Sequence, residues 1–279
     1  MAKVVGGITT SHIPAIGNAM ARELYDDPYW KEFFEGYIPA REWLGKVKPD
    51  VAVVIYNDHG LNWFLDEIPT FAMGAAKEYK NLDEGWGLSQ LPPVPGDPEL
   101  SWYVIESLVN NEFDLSMCQE MVVEHGCVIP LSLFWDPNNW PIKIIPLAVN
   151  TVQHPIPSAR RCYKLGKALG QAIENYPEDQ KVVILGTGGM SHQLQGERAG
   201  FINREFDLDF MDRLVDDPES LTDLTTTDLV RDAGSEGVEL IMWLAMRGAM
   251  KDKVTAVHKH YHIPISNTAA GVLVLENSD

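Results

Sequence analysis

The segment Val51-Ala52-Val53-Val54-Ile55-Tyr56 is an unbroken apolar run, bounded by Asp50 and Asn57. A run this short and uniformly apolar, rich in β-branched residues, suits a strand covered on both faces. Ile142–Val149 and Lys181–Leu185 repeat the pattern, and Lys3–Thr9 reads as a first strand. Longer amphipathic stretches lie between these runs. Pro98–Asn110 and Pro157–Tyr176 each carry a proline near the start, where its fixed φ suits a first helical turn. Glu205–Val215 and Glu236–Met250 are helical by periodicity, and Gly271–Leu275 reads as a late strand. This alternation predicts an α/β fold with a mixed central sheet flanked by helices, in one domain covering residues 1–279. Hydrophobic residues make up 45% of the 279, enough for a sizeable core. Lys80–Asp97, with its Gly-Trp-Gly and Pro-Pro-Val-Pro-Gly-Asp-Pro, reads as an irregular surface excursion, because strand-like sequence resumes on both sides.

Charge narrows the partners. A formal net charge of −18 would repel nucleic acid and anionic membrane surfaces, so neither is expected. An anionic small substrate stays open, provided local donors hold it. Cys118, Cys127 and Cys162 form no CxxC pair, which leaves reduced thiols and a cytoplasmic setting as the simplest reading. Met1–Gly7 lacks the long apolar run of a signal peptide, and no segment approaches the roughly 20 apolar residues of a membrane span.

Five of the eight histidines, His12, His59, His125, His154 and His192, fall in segments that read as loops or strand ends. Such places expose a side chain while the scaffold holds it still. Each of them also fits an ordinary core or surface histidine. His12 follows the first strand and His59 the second, so two imidazoles at neighbouring strand ends are candidates for one divalent metal. Glu236 and Glu239 sit at i, i+3 on a helix start, roughly on one side; one is a candidate ligand, and both also suit the helix dipole. Two histidines and a carboxylate with open positions match a non-haem Fe(II) oxygenase, with zinc as the competing metal. Gly186-Thr187-Gly188-Gly189-Met190-Ser191-His192 is not a dinucleotide-binding fingerprint and reads as a rigid turn aiming His192 into a pocket, where an imidazole with an ordinary pKa of about 6.5 suits proton transfer. His258, His260 and His262 alternate along one strand face, either a metal-binding stripe or a polar cross-strand face. Asp207, Asp209 and Asp212 read as a solvated helix face, and His154 suggests no role.

Gly-Ile-Thr-Thr-Ser-His-Ile-Pro-Ala-Ile-Gly from Gly7, Tyr-Asn-Asp-His from Tyr56, Glu-His-Gly-Cys-Val-Ile-Pro-Leu-Ser from Glu124, Gly-Thr-Gly-Gly-Met-Ser-His-Gln-Leu-Gln-Gly from Gly186 and Gly-Ser-Glu-Gly-Val-Glu-Leu from Gly234 together resemble the class III extradiol ring-cleaving dioxygenases, of the protocatechuate 4,5-dioxygenase catalytic β subunit type. The resemblance runs from Gly6 to about Leu275. It implies His12, His59 and Glu239 as Fe(II) ligands, His192 as acid–base residue, and His125 near dioxygen and substrate. It places Asn57 at the site edge and Ser266 and Asn267 against a substrate carboxylate. The implied reaction is cleavage of protocatechuate with dioxygen to 4-carboxy-2-hydroxymuconate semialdehyde. Gallate, an O-methylgallate or another catechol is the alternative, and a metal-binding scaffold without turnover is the alternative of another class. A small, mostly helical α subunit is the implied partner, in an αβ pair doubled to α2β2, with Trp86–Pro98 as a candidate contact surface. Glu124 stands where relatives carry Asp before the histidine, a departure expected to matter little because it lies outside the implied ligand set. The chain also ends sooner after its last strand than some relatives do.

Overall fold

The computed structural model describes residues 1–85 and 91–278. Val51–Tyr56 forms the expected central strand, and its side chains alternate between two cores. Val53 and Ile55 join the apolar cluster on one face of the sheet, and Ala52, Val54 and Tyr56 the cluster on the other. Each buried Val or Ile contributes about 1.5–3 kcal/mol relative to an exposed one, so this strand anchors both cores at once.

In chain order the strands are β1 (Lys3–Thr10), β2 (Val51–Tyr56), β3 (Phe71–Gly74), β4 (Glu78–Asn81), β5 (Val94–Pro95), β6 (Ser116–Cys118), β7 (Val122–Val123), β8 (Lys143–Val149), β9 (Lys181–Thr187), β10 (Val254–Ile265) and β11 (Thr268–Asn277). Among the described residues, eight of them form a mixed sheet in the order β10-β11-β1-β9-β2-β8-β3-β6, and β5-β4-β7 form a small second sheet. The centre is parallel: β1 pairs with β9, β9 with β2 and β2 with β8. Helices Pro98–Asn110, Ala159–Asn175, Arg204–Asp216 and Leu240–Gly248 cover one face. Helices Pro14–Ala21, Ile38–Val47 and His125–Phe134 cover the other. The expected α/β layering with a mixed sheet is what the chain adopts. No helix among the described residues is long and apolar enough to cross a membrane.

The differences from expectation have local causes. His125–Phe134 is a helix, not a loop; nine of its ten residues are buried, so it shows no amphipathic period, and Pro130 lies inside it. The 80–97 region contributes strands β4 and β5, too short to register as a pattern. Its Trp86–Gln90 portion, with most of the Gly-Trp-Gly, lies outside the described residues, so the candidate contact surface is only partly described. The stretch read as one helix from Glu236 begins as a tight 3₁₀ turn at Gly237–Glu239 and continues as Leu240–Gly248.

Candidate metal centre

The register of the parallel strands explains why distant residues meet. Thr10 of β1 lies opposite Thr187 of β9, and Ile55 of β2 opposite Gly186. The three strands therefore end at one level, and the segments leaving them carry His12, His59 and His192. This is the crevice beyond the carboxyl ends of the strands, the usual ligand position in α/β sheets. Glu239 enters from the 3₁₀ turn ahead of the helix Leu240–Gly248.

His12 Nε2 lies 3.4 Å from Glu239 Oε2, His59 Nε2 3.9 Å from Glu239 Oε1, and His192 Nε2 3.9 Å from Glu239 Oε2. Each imidazole's other nitrogen is engaged. His12 Nδ1 is 3.0 Å from Thr187 Oγ1, His59 Nδ1 is 2.9 Å from Glu124 Oε2, and His192 Nδ1 is 2.7 Å from the Met190 carbonyl. A carbonyl only accepts, so His192 Nδ1 carries a proton and donates it, and Nε2 is the nitrogen turned toward the centre. The Gly189 N–H donates to Glu239 Oε2 at 2.6 Å. Asn57 Nδ2 lies 3.4 Å from Glu239 Oε1 and 3.0 Å from His59 Nε2, and its Oδ1 is buried without a partner. Gly188, at φ +129, lets the turn pass close to Glu239: a Cβ there would sit 2.8 Å from Glu239 Cβ.

His125 joins the same group. Its ring stacks on His59 with centroids 4.2 Å apart, and one ring nitrogen each from His12, His59 and His125 fall within 4.8 Å of one another. Glu124, fully buried, is 2.9 Å from His59 Nδ1 and 2.7 Å from His125 Nδ1 through one oxygen, and caps the helix through the other at Gly126 N. Glu124 lies outside the implied ligand set, yet it contacts both imidazoles at Nδ1. Glu84, which sequence reasoning missed, contacts His125 twice.

The donor set fits a divalent cation. Burial opposes the charge of Glu239, yet the adjoining His12, with His59 and His192, holds its carboxyl well below the ordinary range. Burial likewise opposes Glu124, and His59 and His125 outweigh it in the same direction. Among the described residues no lysine or arginine pairs with Glu239, whose ionic contacts are all with histidines. A buried carboxylate is stabilised by a positive partner, and a dication between His12, His59 and Glu239 would supply one. Outer carboxylates and hydroxyls on the ligands' second nitrogens are the usual surroundings of a metal site.

The other sequence candidates separate. Glu236 turns away from the centre and accepts the Leu194 N–H at 3.0 Å, so Glu239 alone of the pair faces it. Ser266 and Asn267 form the exposed tip of the β10–β11 hairpin, Ser266 at φ +57 with its N–H donating to Tyr29 Oη at 3.0 Å. The next residue, Thr268, bridges to His192, which brings the tip beside the turn that carries His192. Asp207 is not solvated: it is fully buried and accepts from Ser191 N, Ser191 Oγ and Tyr261 Oη at 2.8, 2.6 and 2.8 Å. A buried carboxylate one turn from polar neighbours has no distinct sequence pattern. His258, His260 and His262 stack along β10, with His258 Nε2 donating to the Gly36 carbonyl at 2.6 Å, as a polar packing face. His154 is exposed. A cavity of about 250 Å³, lined by His59, Trp63, Phe64, Leu65, Ile68 and others, opens on the outer side of His59. A cavity of about 150 Å³ already accepts benzene; of the candidate site residues this one is lined by His59, and not by His12, Glu239 or His192.

A family model described as "Catalytic LigB subunit of aromatic ring-opening dioxygenase" matches residues 6–272. The chain belongs to this LigB family. It is 48% identical over 198 residues to a gallate dioxygenase of Pseudomonas putida, covering 71% of this chain and 58% of that protein. It is 26% identical over 274 residues to a 2,3-dihydroxyphenylpropionate/2,3-dihydroxicinnamic acid 1,2-dioxygenase of Xanthobacter autotrophicus, covering 81% of this chain and 85% of the relative. This LigB chain therefore spans somewhat more than half the length of the gallate dioxygenase. An uncharacterized protein of Escherichia coli K12 shares the fold, with a TM-score of 0.57 at 13% identity over 97% of this chain and 99% of that one.

Proposed function

We propose that this LigB-family chain opens the ring of a dihydroxy- or trihydroxybenzoate by extradiol cleavage with dioxygen, using Fe(II) held by His12, His59 and Glu239. Gallate is the leading substrate. It was the alternative in the sequence reading, and the 48% identity to a gallate dioxygenase favours it over protocatechuate, which the resemblance put first. When bound, Fe(II) supplies the redox chemistry through which dioxygen and the diol react.

The observation that carries the reading is the orientation of His192. Its Nδ1–H is spent on the Met190 carbonyl at 2.7 Å, so Nε2 faces Glu239 and its neighbours as a proton acceptor. There it takes a proton from a substrate hydroxyl on binding and returns one later in the turnover. Metal binding without turnover has no use for a base held in this way, which disfavours the scaffold alternative. His125 and Asn57 flank the position a ring would take. The hairpin tip at Ser266 and Asn267 offers hydrogen-bond donors to the ring carboxylate, which a chain of net charge −18 needs if it is to retain an anion. A small helical α subunit, in an αβ pair doubled to α2β2, covers the mouth and excludes water.

The test is the initial rate of ring-fission product from gallate, protocatechuate and unsubstituted catechol with Fe(II)-loaded protein. Gallate is expected to give the highest kcat/KM and catechol the lowest, and Ser266→Ala to narrow the gap between the benzoates and catechol. Absence of oxygen uptake with all three, from protein carrying stoichiometric iron, contradicts the reading.

A further inference from the structure

We propose that Glu84 is a positioning residue for His125, locking its ring through a carboxylate clamp delivered by the loop after β4. The proposal rests on the ring-opening reading and adds a residue to it.

The clamp is built locally. After β4 ends at Asn81, the Gly85 N–H donates to Asp83 Oδ1 at 2.9 Å, closing a turn with Gly85 at φ +75. Glu84 sits in that turn with its side chain only 5% exposed. Its Oε2 accepts the His125 backbone N–H at 2.7 Å, and its Oε1 lies 2.7 Å from His125 Nδ1. Both contacts cross 41 residues of sequence to reach one histidine. The backbone N–H of His125 is the first of the helix, with no partner inside it. Glu124, the cap, has already committed Oε1 to Gly126 N.

The second contact resolves a competition. Glu124 Oε2 lies 2.9 Å from His59 Nδ1 and 2.7 Å from His125 Nδ1, so one oxygen faces two N–H donors. With Glu84 as an acceptor for His125, Glu124 is left to orient the ligand His59. The His125 proton stays on Nδ1, and Nε2 is the atom left to meet substrate or oxygen. Glu84 has no lysine or arginine partner among the described residues; both of its oxygens are spent on His125, so the carboxylate is committed to holding that one residue.

Glu84→Gln tests this. Gln keeps the shape and a carbonyl for the backbone N–H, but turns an amide N–H₂ toward Nδ1. In the full chain loaded with Zn(II), ¹⁵N-histidine correlation spectra are expected to show His125 protonated at Nδ1 in wild type and shifted toward the other tautomer in Glu84→Gln. In the Fe(II)-loaded chain, kcat is expected to fall by about 10–100-fold, with metal content, thermal midpoint and KM for the aromatic substrate changed little. A Glu84→Gln protein with wild-type tautomer and wild-type kcat overturns the proposal, as does one whose lost rate is matched by lost metal. If wild type itself consumes no oxygen with any diol, the ring-opening reading fails, while the tautomer spectra still decide the role of Glu84.

Discussion

His192 and Glu239 face each other across 3.9 Å, and the proposed reading gives them different work. Glu239 is fixed by its contacts with His12 and the Gly189 N–H, as a ligand should be, whereas His192 is fixed only through its far nitrogen. His12→Ala, His59→Ala and Glu239→Ala are therefore expected to lose bound metal. His192→Ala is expected to keep metal while losing about 10²–10⁴-fold in turnover. Elemental analysis and initial rates on each variant check this, and an iron-free His192→Ala protein would show that its role is misassigned. Behind His192, Asp207 holds Ser191 through both its N–H and its hydroxyl, and burial pushes the Asp207 carboxyl up from its ordinary value. Asp207→Ala strands those donors and the Tyr261 hydroxyl, at an expected cost on the order of 2 kcal/mol or more. Urea unfolding measures it; an unchanged midpoint would mean water replaces the carboxylate at no cost.

At the scale of elements, the site depends on loops held by strand ends, among them the segment that leaves β9 at Gly188. Gly188→Ala puts a Cβ at 2.8 Å from Glu239 Cβ at a backbone angle L-residues avoid. The variant is expected to fold with a lower thermal midpoint and to bind metal at least about tenfold more weakly, since misplaced ligands typically cost that much; wild-type affinity by metal titration would show that the turn tolerates the shift. What the sequence revealed follows from the same physics. Val51–Tyr56 and Pro98–Asn110 were legible to the residue because a doubly buried strand is a short unbroken apolar run between polar ends and a proline-started amphipathic helix has a strong period. The helix His125–Phe134 was not, being buried almost all round. Four of the site's histidines stood out by their place beside Gly, Ser and Asn. Glu84 and Asp207 did not: a carboxylate buried by tertiary contacts looks in sequence like any surface acid.

At the scale of the whole molecule, one sheet with helices on both faces carries all the candidate ligands at one end. Phe64 and Leu65, 65% and 76% exposed, flank the cavity beside His59 on that same side. The proposed α subunit predicts that turnover per iron rises when this chain is co-purified with it, and that mass in solution reports an αβ pair or its double; full activity from a monodisperse chain alone would remove the need for a partner. The central claim is that His12, His59 and Glu239 hold a redox-active dication beside the base His192. The most direct test loads metal-free protein with one equivalent of Fe(II) or Zn(II) under anaerobic conditions, then admits oxygen and gallate. Zinc is redox-inert, so the account predicts that both metals bind, that iron supports oxygen uptake with ring-fission product, and that zinc supports neither. Equal turnover with zinc, or full iron binding and turnover in the Glu239→Ala protein, would contradict it.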